Sequence, residues 1–225
     1  MLWKLNPLLC ALCVLLRLTF PAWAHNPDTS YARIRISADK LELRFTFDLV
    51  TLLKITRLDE RGSGLITRAD LKQHSPEIFA YVRKHVALEI NQHETDLGEP
   101  GAFGWAADVG ETVPQKDYHS ASALIHFNFT KPLDDMPEDL SIEFDFFTDF
   151  GERHTIQGEF NVNGAKHEVN FTRFEPDYLF DTGYQPTTIK RVMVFLKRSR
   201  WVLLVALAPM LWTIGRWRYQ RARAA

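Results

Sequence analysis

The sequence predicts an α+β fold: a β-sandwich-like exported domain with an EF-hand-like helix–loop–helix insert, plus one transmembrane helix. Three observations predict it. Apolar and polar residues alternate with period two in several segments between Ala32 and Phe174, the pattern of strands with one buried face. A helical stretch interrupts those segments between residues 49 and 86. The two ends of the chain are apolar and basic, whereas every acid lies between Asp28 and Asp181.

Residues 1–24 read as a signal peptide. Lys4 starts it, Leu8 to Leu16 forms a short apolar run, and Ala22-Trp23-Ala24 supplies a cleavage site. The expected mature chain begins at His25. Cys10 and Cys13 fall in the discarded segment, so the exported domain, residues 25–180, has no cysteine and depends on its own core.

Within that domain, Ala32, Ile34 and Ile36 define a first strand, and Ser37-Ala38-Asp39 a turn. Leu41, Leu43, Phe45 and Phe47 define the buried face of a second strand. Ala123, Ile125, Phe127 and Phe129 form another stripe, as do Leu140, Ile142, Phe144 and Phe146. The strongest hairpin signal is Asn163-Gly164, because both residues tolerate the positive φ of a type I′ turn. A two-residue turn there pairs Val162 with Ala165, Phe160 with His167, Gly158 with Val169 and Ile156 with Phe171. Six or seven strands are expected in all. Residues 92–117 read as a long irregular loop, and Asp177 to Lys190 as the linker to the membrane.

Residues 181–200 form the juxtamembrane segment, 201–217 the membrane helix and 218–225 a basic cytoplasmic tail. Trp201 to Gly215 is uncharged and bounded by Arg200 and Arg216. A helix between those arginines rises roughly 24 Å, against a hydrocarbon layer of about 30 Å. Snorkelling arginines and the interfacial Trp201, Trp212 and Trp217 make up the difference.

The near-neutral total charge hides two environments. Residues 28–181 hold 28 acids and 16 bases, a net charge of −12. Such a domain repels nucleic acid. No nucleophile-elbow, zinc-protease or phosphate-loop motif is present, so an enzyme is not expected.

The helical insert, residues 49–86, holds the most specific local pattern. Leu49 to Thr56 and Arg68 to Val86 read as helices, the second reset at Ser75-Pro76. Between them runs Asp59-Glu60-Arg61-Gly62-Ser63-Gly64-Leu65-Ile66-Thr67-Arg68-Ala69-Asp70, the outline of an EF-hand loop. Asp59, Ser63, the Leu65 carbonyl, Thr67 and Asp70 occupy its ligand positions, and Ca2+ is the cofactor such a loop would take. Arg61 at the third position and Asp70 in place of Glu at the twelfth degrade that chemistry. The competing account is a helix–loop–helix kept for its turn, with Gly64 as the bend and Thr67 capping the second helix. His25 is a further metal candidate, since its α-amine and imidazole suit Cu(II) or Ni(II). A polar residue at a frayed start is the alternative there.

Ser30-Tyr31, LELRFTFDLVTLL, LDERGSGLITRADL and IFAYVRKHVAL together resemble the periplasmic N-terminal domain of HupE/UreJ-type membrane proteins. That resemblance implies a β-rich exported domain with an EF-hand-like segment, which in the family precedes several membrane helices; some of its members are linked with nickel or cobalt uptake. The family's membrane part carries His and Asp, whereas no His follows His167 here and no acid follows Asp181. Transport is therefore not carried over. The expectation is a membrane-anchored periplasmic binding or accessory module, single-pass in the bacterial inner membrane, with an envelope or membrane protein as partner. A metal-handling ectodomain, using the loop or His25, is the alternative.

Overall fold

The computed structural model describes residues 28–59, 62–105 and 110–186. The expected signal peptide, His25, the 201–217 helix and the basic tail lie outside the described residues. The chain separates into two units, residues 1–182 and 183–225, and the fold described below is that of the first.

The chain opens with β1 (Thr29–Ile36), β2 (Lys40–Phe47) and the short helix α1 (Leu49–Ile55). Next come β3 (Leu65–Thr67), α2 (Arg68–His85), β4 (Val86–Ile90) and β5 (His93–Thr95). Three short strands follow: β6 (Glu99–Pro100), β7 (Gly104–Trp105) and β8 (Thr112–Pro114). The last part contains β9 (Ile125–Pro132), β10 (Asp139–Phe144), α3 (Phe147–Phe150), β11 (Thr155–Val162), β12 (Ala165–Phe171) and β13 (Asp177–Asp181). The domain is therefore β-rich α+β.

The larger sheet has the order β12-β11-β1-β2-β9-β6, with β7 also paired to β9. All its pairings are antiparallel except β1 with β11, which run parallel from Thr29↔Thr155 to Ile36↔Val162. A second sheet has the order β13-β10-β4-β5, and β3 pairs with β8 alone.

The inner face of the large sheet is built by the expected alternation: Ile34, Leu43, Phe45, Phe127, Phe129 and Phe160 are all fully buried. The second sheet meets this face through aromatic rings. Phe45 is edge-on to Phe144 at 6.1 Å, and Phe47 to Phe146 at 5.9 Å. Phe160 stacks on Phe180 at 4.8 Å. Helix α2 covers the rest, placing Phe79 edge-on to both Phe127 and Phe129, at 5.2 and 5.3 Å. Each such ring contributes roughly 1.5–3 kcal/mol by leaving water.

The predicted hairpin forms with the predicted register, from Ile156↔Phe171 to Val162↔Ala165. Asn163 and Gly164 adopt φ of 51° and 86°, as a type I′ turn requires. Three expectations are corrected. Helix α2 runs through Pro76 without a reset. The ring removes the N–H that would bond the Lys72 carbonyl, and Ser75 Oγ donates to that carbonyl at 3.0 Å instead. The 92–117 stretch is not structureless, because β6 and β7 extend the large sheet along β9 and β8 pairs with β3. Asp177–Asp181 is a strand rather than a linker. It pairs with β10, and Tyr178 and Phe180 pack on the core.

Candidate functional site

The outer face of the large sheet carries a cleft of about 730 Å³, within the range of small-molecule sites. Strand register dictates its floor. Arg44 on β2 lies opposite Arg33 on β1, Arg33 opposite Glu159 on β11, and Glu159 opposite Glu168 on β12. One rung thus runs plus, plus, minus, minus across four strands. The adjacent rung is uncharged: His126, Thr46, Tyr31, Gln157 and Asn170 follow one another from β9 to β12. These two rungs line the cleft, because side chains two residues apart share a face.

The charges on the first rung are unevenly satisfied. Glu159 Oε2 accepts from Lys166 Nζ at 2.9 Å, and Arg33 Nε lies 2.9 Å from Glu159 Oε1 without its N–H aligned on that oxygen. The Lys166 hydrogen bond, aided by Arg33, holds the Glu159 carboxyl below its ordinary pKa. Arg44 Nε donates to Asn128 Oδ1 at 3.0 Å, but among the described residues no carboxylate pairs with Arg44, and no cation pairs with Glu168. Two arginines directly opposite each other repel, so the rung favours an added anion at the Arg44 end. His126 Nδ1 is 2.8 Å from Thr46 Oγ1. Burial, then Arg44 and Arg33, lower the His126 pKa, which keeps the ring neutral near pH 7.

In the EF-hand-like loop, the described residues Asp59 and 62–70 bond to one another. Asp59 Oδ1 accepts from Ser63 N at 2.9 Å and Ser63 Oγ at 3.1 Å, and Oδ2 from Gly64 N at 2.7 Å. The Ser63 and Gly64 N–H bonds, in that order, lower the Asp59 pKa. Gly64 has φ +70° and makes the bend. Leu65 opens β3, opposite Pro114. Thr67 caps α2, its Oγ1 accepting from Asp70 N at 3.1 Å. The Asp70 carboxylate answers by accepting from Thr67 N at 2.8 Å and Thr67 Oγ1 at 2.6 Å. These bonds hold the loop with its own donors, as the capping account expects. The Tyr118 hydroxyl is buried beside the loop without a hydrogen-bond partner, and after burial itself Asp59 and Asp70 are what raise its pKa. Among the described residues, no three His, Cys, Asp or Glu side chains come together as a metal centre.

A polar cluster missed by motif reasoning lies inside the domain. Ser30 Oγ is 2.9 Å from His154 Nε2, and both residues are 1% exposed. His154 Nδ1 has no partner. Burial first, then Lys54, pull its pKa down to about 4, against the opposing pull of Asp28 and Asp48. Asp48 is fully buried, caps α1 through Thr51 N at 2.7 Å, and meets His119 Nδ1 at 3.1 Å. His119 and His126 therefore serve different partners. His167 is exposed at the edge of the core, stacking on Tyr178 and bonding its hydroxyl at 2.8 Å.

No helix among the described residues is long and apolar enough to cross a membrane. Compared with known proteins, the chain matches no family model, and no curated protein matches it significantly.

Proposed function

We propose that this chain is a membrane-anchored periplasmic binding or accessory module of the bacterial inner membrane. On this reading residues 1–24 are removed on export, residues 201–217 cross the membrane once, and the domain akin to HupE/UreJ-type ectodomains faces the periplasm. The cleft on the outer sheet face meets the ligand or the envelope protein partner. The observation that supports this is the charged rung Arg44–Arg33–Glu159–Glu168, open to solvent and incompletely paired. The Ser30–His154 hydroxyl–imidazole pair is sealed from substrate by burial. The proposed role is non-enzymatic. The test is photo-crosslinking in intact membranes from a probe at Gln157. A specific adduct with an envelope or membrane protein is expected, and recovery of the protein alone would count against the module.

A metal-handling ectodomain is the second reading. It is favoured by the ionised Asp59, which with Asp70 faces the unpartnered Tyr118 hydroxyl. Calorimetry with Ca2+, Ni2+ and Cu2+ on the whole protein decides it, with His25→Ala separating the chain start from the loop.

A further inference from the structure

We infer that the cleft binds a short peptide with free termini, its carboxylate at Arg44 and its ammonium at Glu168. This rests on the binding-module reading and names its ligand class. Glu159 is shared by Lys166 and Arg33, so the middle of the rung is paired, with one surplus positive charge on the Arg33 side next to Arg44. The outer two charges are not. A ligand complementary to the whole rung is therefore negative at the β2 end and positive at the β12 end. A phosphate or sulfate at Arg44 answers only half of that pattern and leaves Glu168 unmatched.

Size narrows the class. Three inter-strand steps separate Arg44 from Glu168, roughly 14 Å between Cα atoms. Both long side chains shorten the gap, and an extended peptide covers about 3.3–3.6 Å per residue. About three residues fill it. A single amino acid cannot touch both ends. The neutral rung suits the ligand's interior, because the Gln157 and Asn170 amides can both donate to and accept from peptide groups. The neutral His126 ring beside Arg44 adds no charge that would unbalance the two ends.

The test titrates the full-length protein in detergent micelles with trialanine, N-acetyl-trialanine, trialanine amide and inorganic phosphate, read by calorimetry. Trialanine binds, and blocking either end weakens binding about tenfold, the effect of removing one charged hydrogen-bonding group. Arg44→Gln weakens trialanine about tenfold and leaves the amide unchanged. Glu168→Gln does the same for the amine, leaving the acetylated peptide unchanged. Equal binding of free and blocked peptides, tighter binding of phosphate, or no heat with trialanine would overturn the inference. If trialanine fails while the Gln157 probe still captures an envelope protein, only the peptide class falls. If both fail, the module reading falls with it.

Discussion

The Phe171 ring lies over Gly158 on the neighbouring strand, so close that a methyl group on Gly158 would stand 2.6 Å from Phe171 Cε2. Phe171 in turn is fully buried and edge-on to Phe144 at 4.8 Å. The glycine is the socket that lets a hairpin ring reach the second sheet. Gly158→Ala is expected to destabilise by about 1–3 kcal/mol through overpacking, and Phe171→Ala by about 3–5 kcal/mol through a cavity. In the Phe171→Ala background, Gly158→Ala becomes neutral or stabilising, because the clash is gone and a strand glycine costs entropy. Denaturant unfolding of the four proteins measures this coupling, and additive losses would refute it.

His154 sets an acid limit on the fold. Its folded pKa, about 4, lies below the ordinary 6.5, so between those values the unfolded chain binds the proton that the folded one refuses. Stability from this group is full above pH 6.5, declines as the pH falls towards 4, and levels off below. The loss amounts to roughly 3 kcal/mol. Unfolding curves from pH 7 to 4 show it directly. His154→Gln, which keeps a polar group near Ser30, flattens that part of the profile.

Pro76 costs helix α2 one backbone hydrogen bond, and only Ser75 Oγ compensates. The residue is exposed. Pro76→Ala is therefore expected to stabilise by about 1–3 kcal/mol, seen as a higher Tm. An unchanged Tm would show that the Pro76 ring, at the mouth of a surface groove with Phe79, recovers the loss by packing.

Thr67 and Asp70 share one capping box. Thr67→Ala costs about 1 kcal/mol, and Asp70→Ala in addition costs less than the sum of the single losses, because each change already breaks the reciprocal pair. Full additivity in thermal unfolding would mean that Asp70 acts chiefly through something other than the cap.

Local chemistry was legible in the sequence and distant pairing was not. The Asn163-Gly164 turn fixes its own register, so four residue pairs across the hairpin followed from two residues. The stripes of β2, β9 and β10 were equally plain, each being a run of period two. The cap at Thr67 and the bend at Gly64 likewise followed from local rules. The cleft needed more. Arg33 meets Glu159 only because β1 lies parallel to β11, a pairing between segments 126 residues apart that no local pattern encodes. Strands of two or three residues, such as β6 and β7, are shorter than any period that could announce them. In β13, Leu179 is apolar yet points outward between Tyr178 and Phe180, which erased the alternation there.

The parallel seam between β1 and β11 also governs the order in which the molecule can be completed. Strand β1 leaves the ribosome first, yet its second neighbour arrives some 126 residues later. At about 5–20 residues per second, that is a wait of roughly 6–25 seconds. Throughout it, one flank of the nascent β1–β2 hairpin stays unzipped and open to mispairing with other chains. The strand that ends at the centre of the finished sheet is thus the part that most needs chaperoning during synthesis.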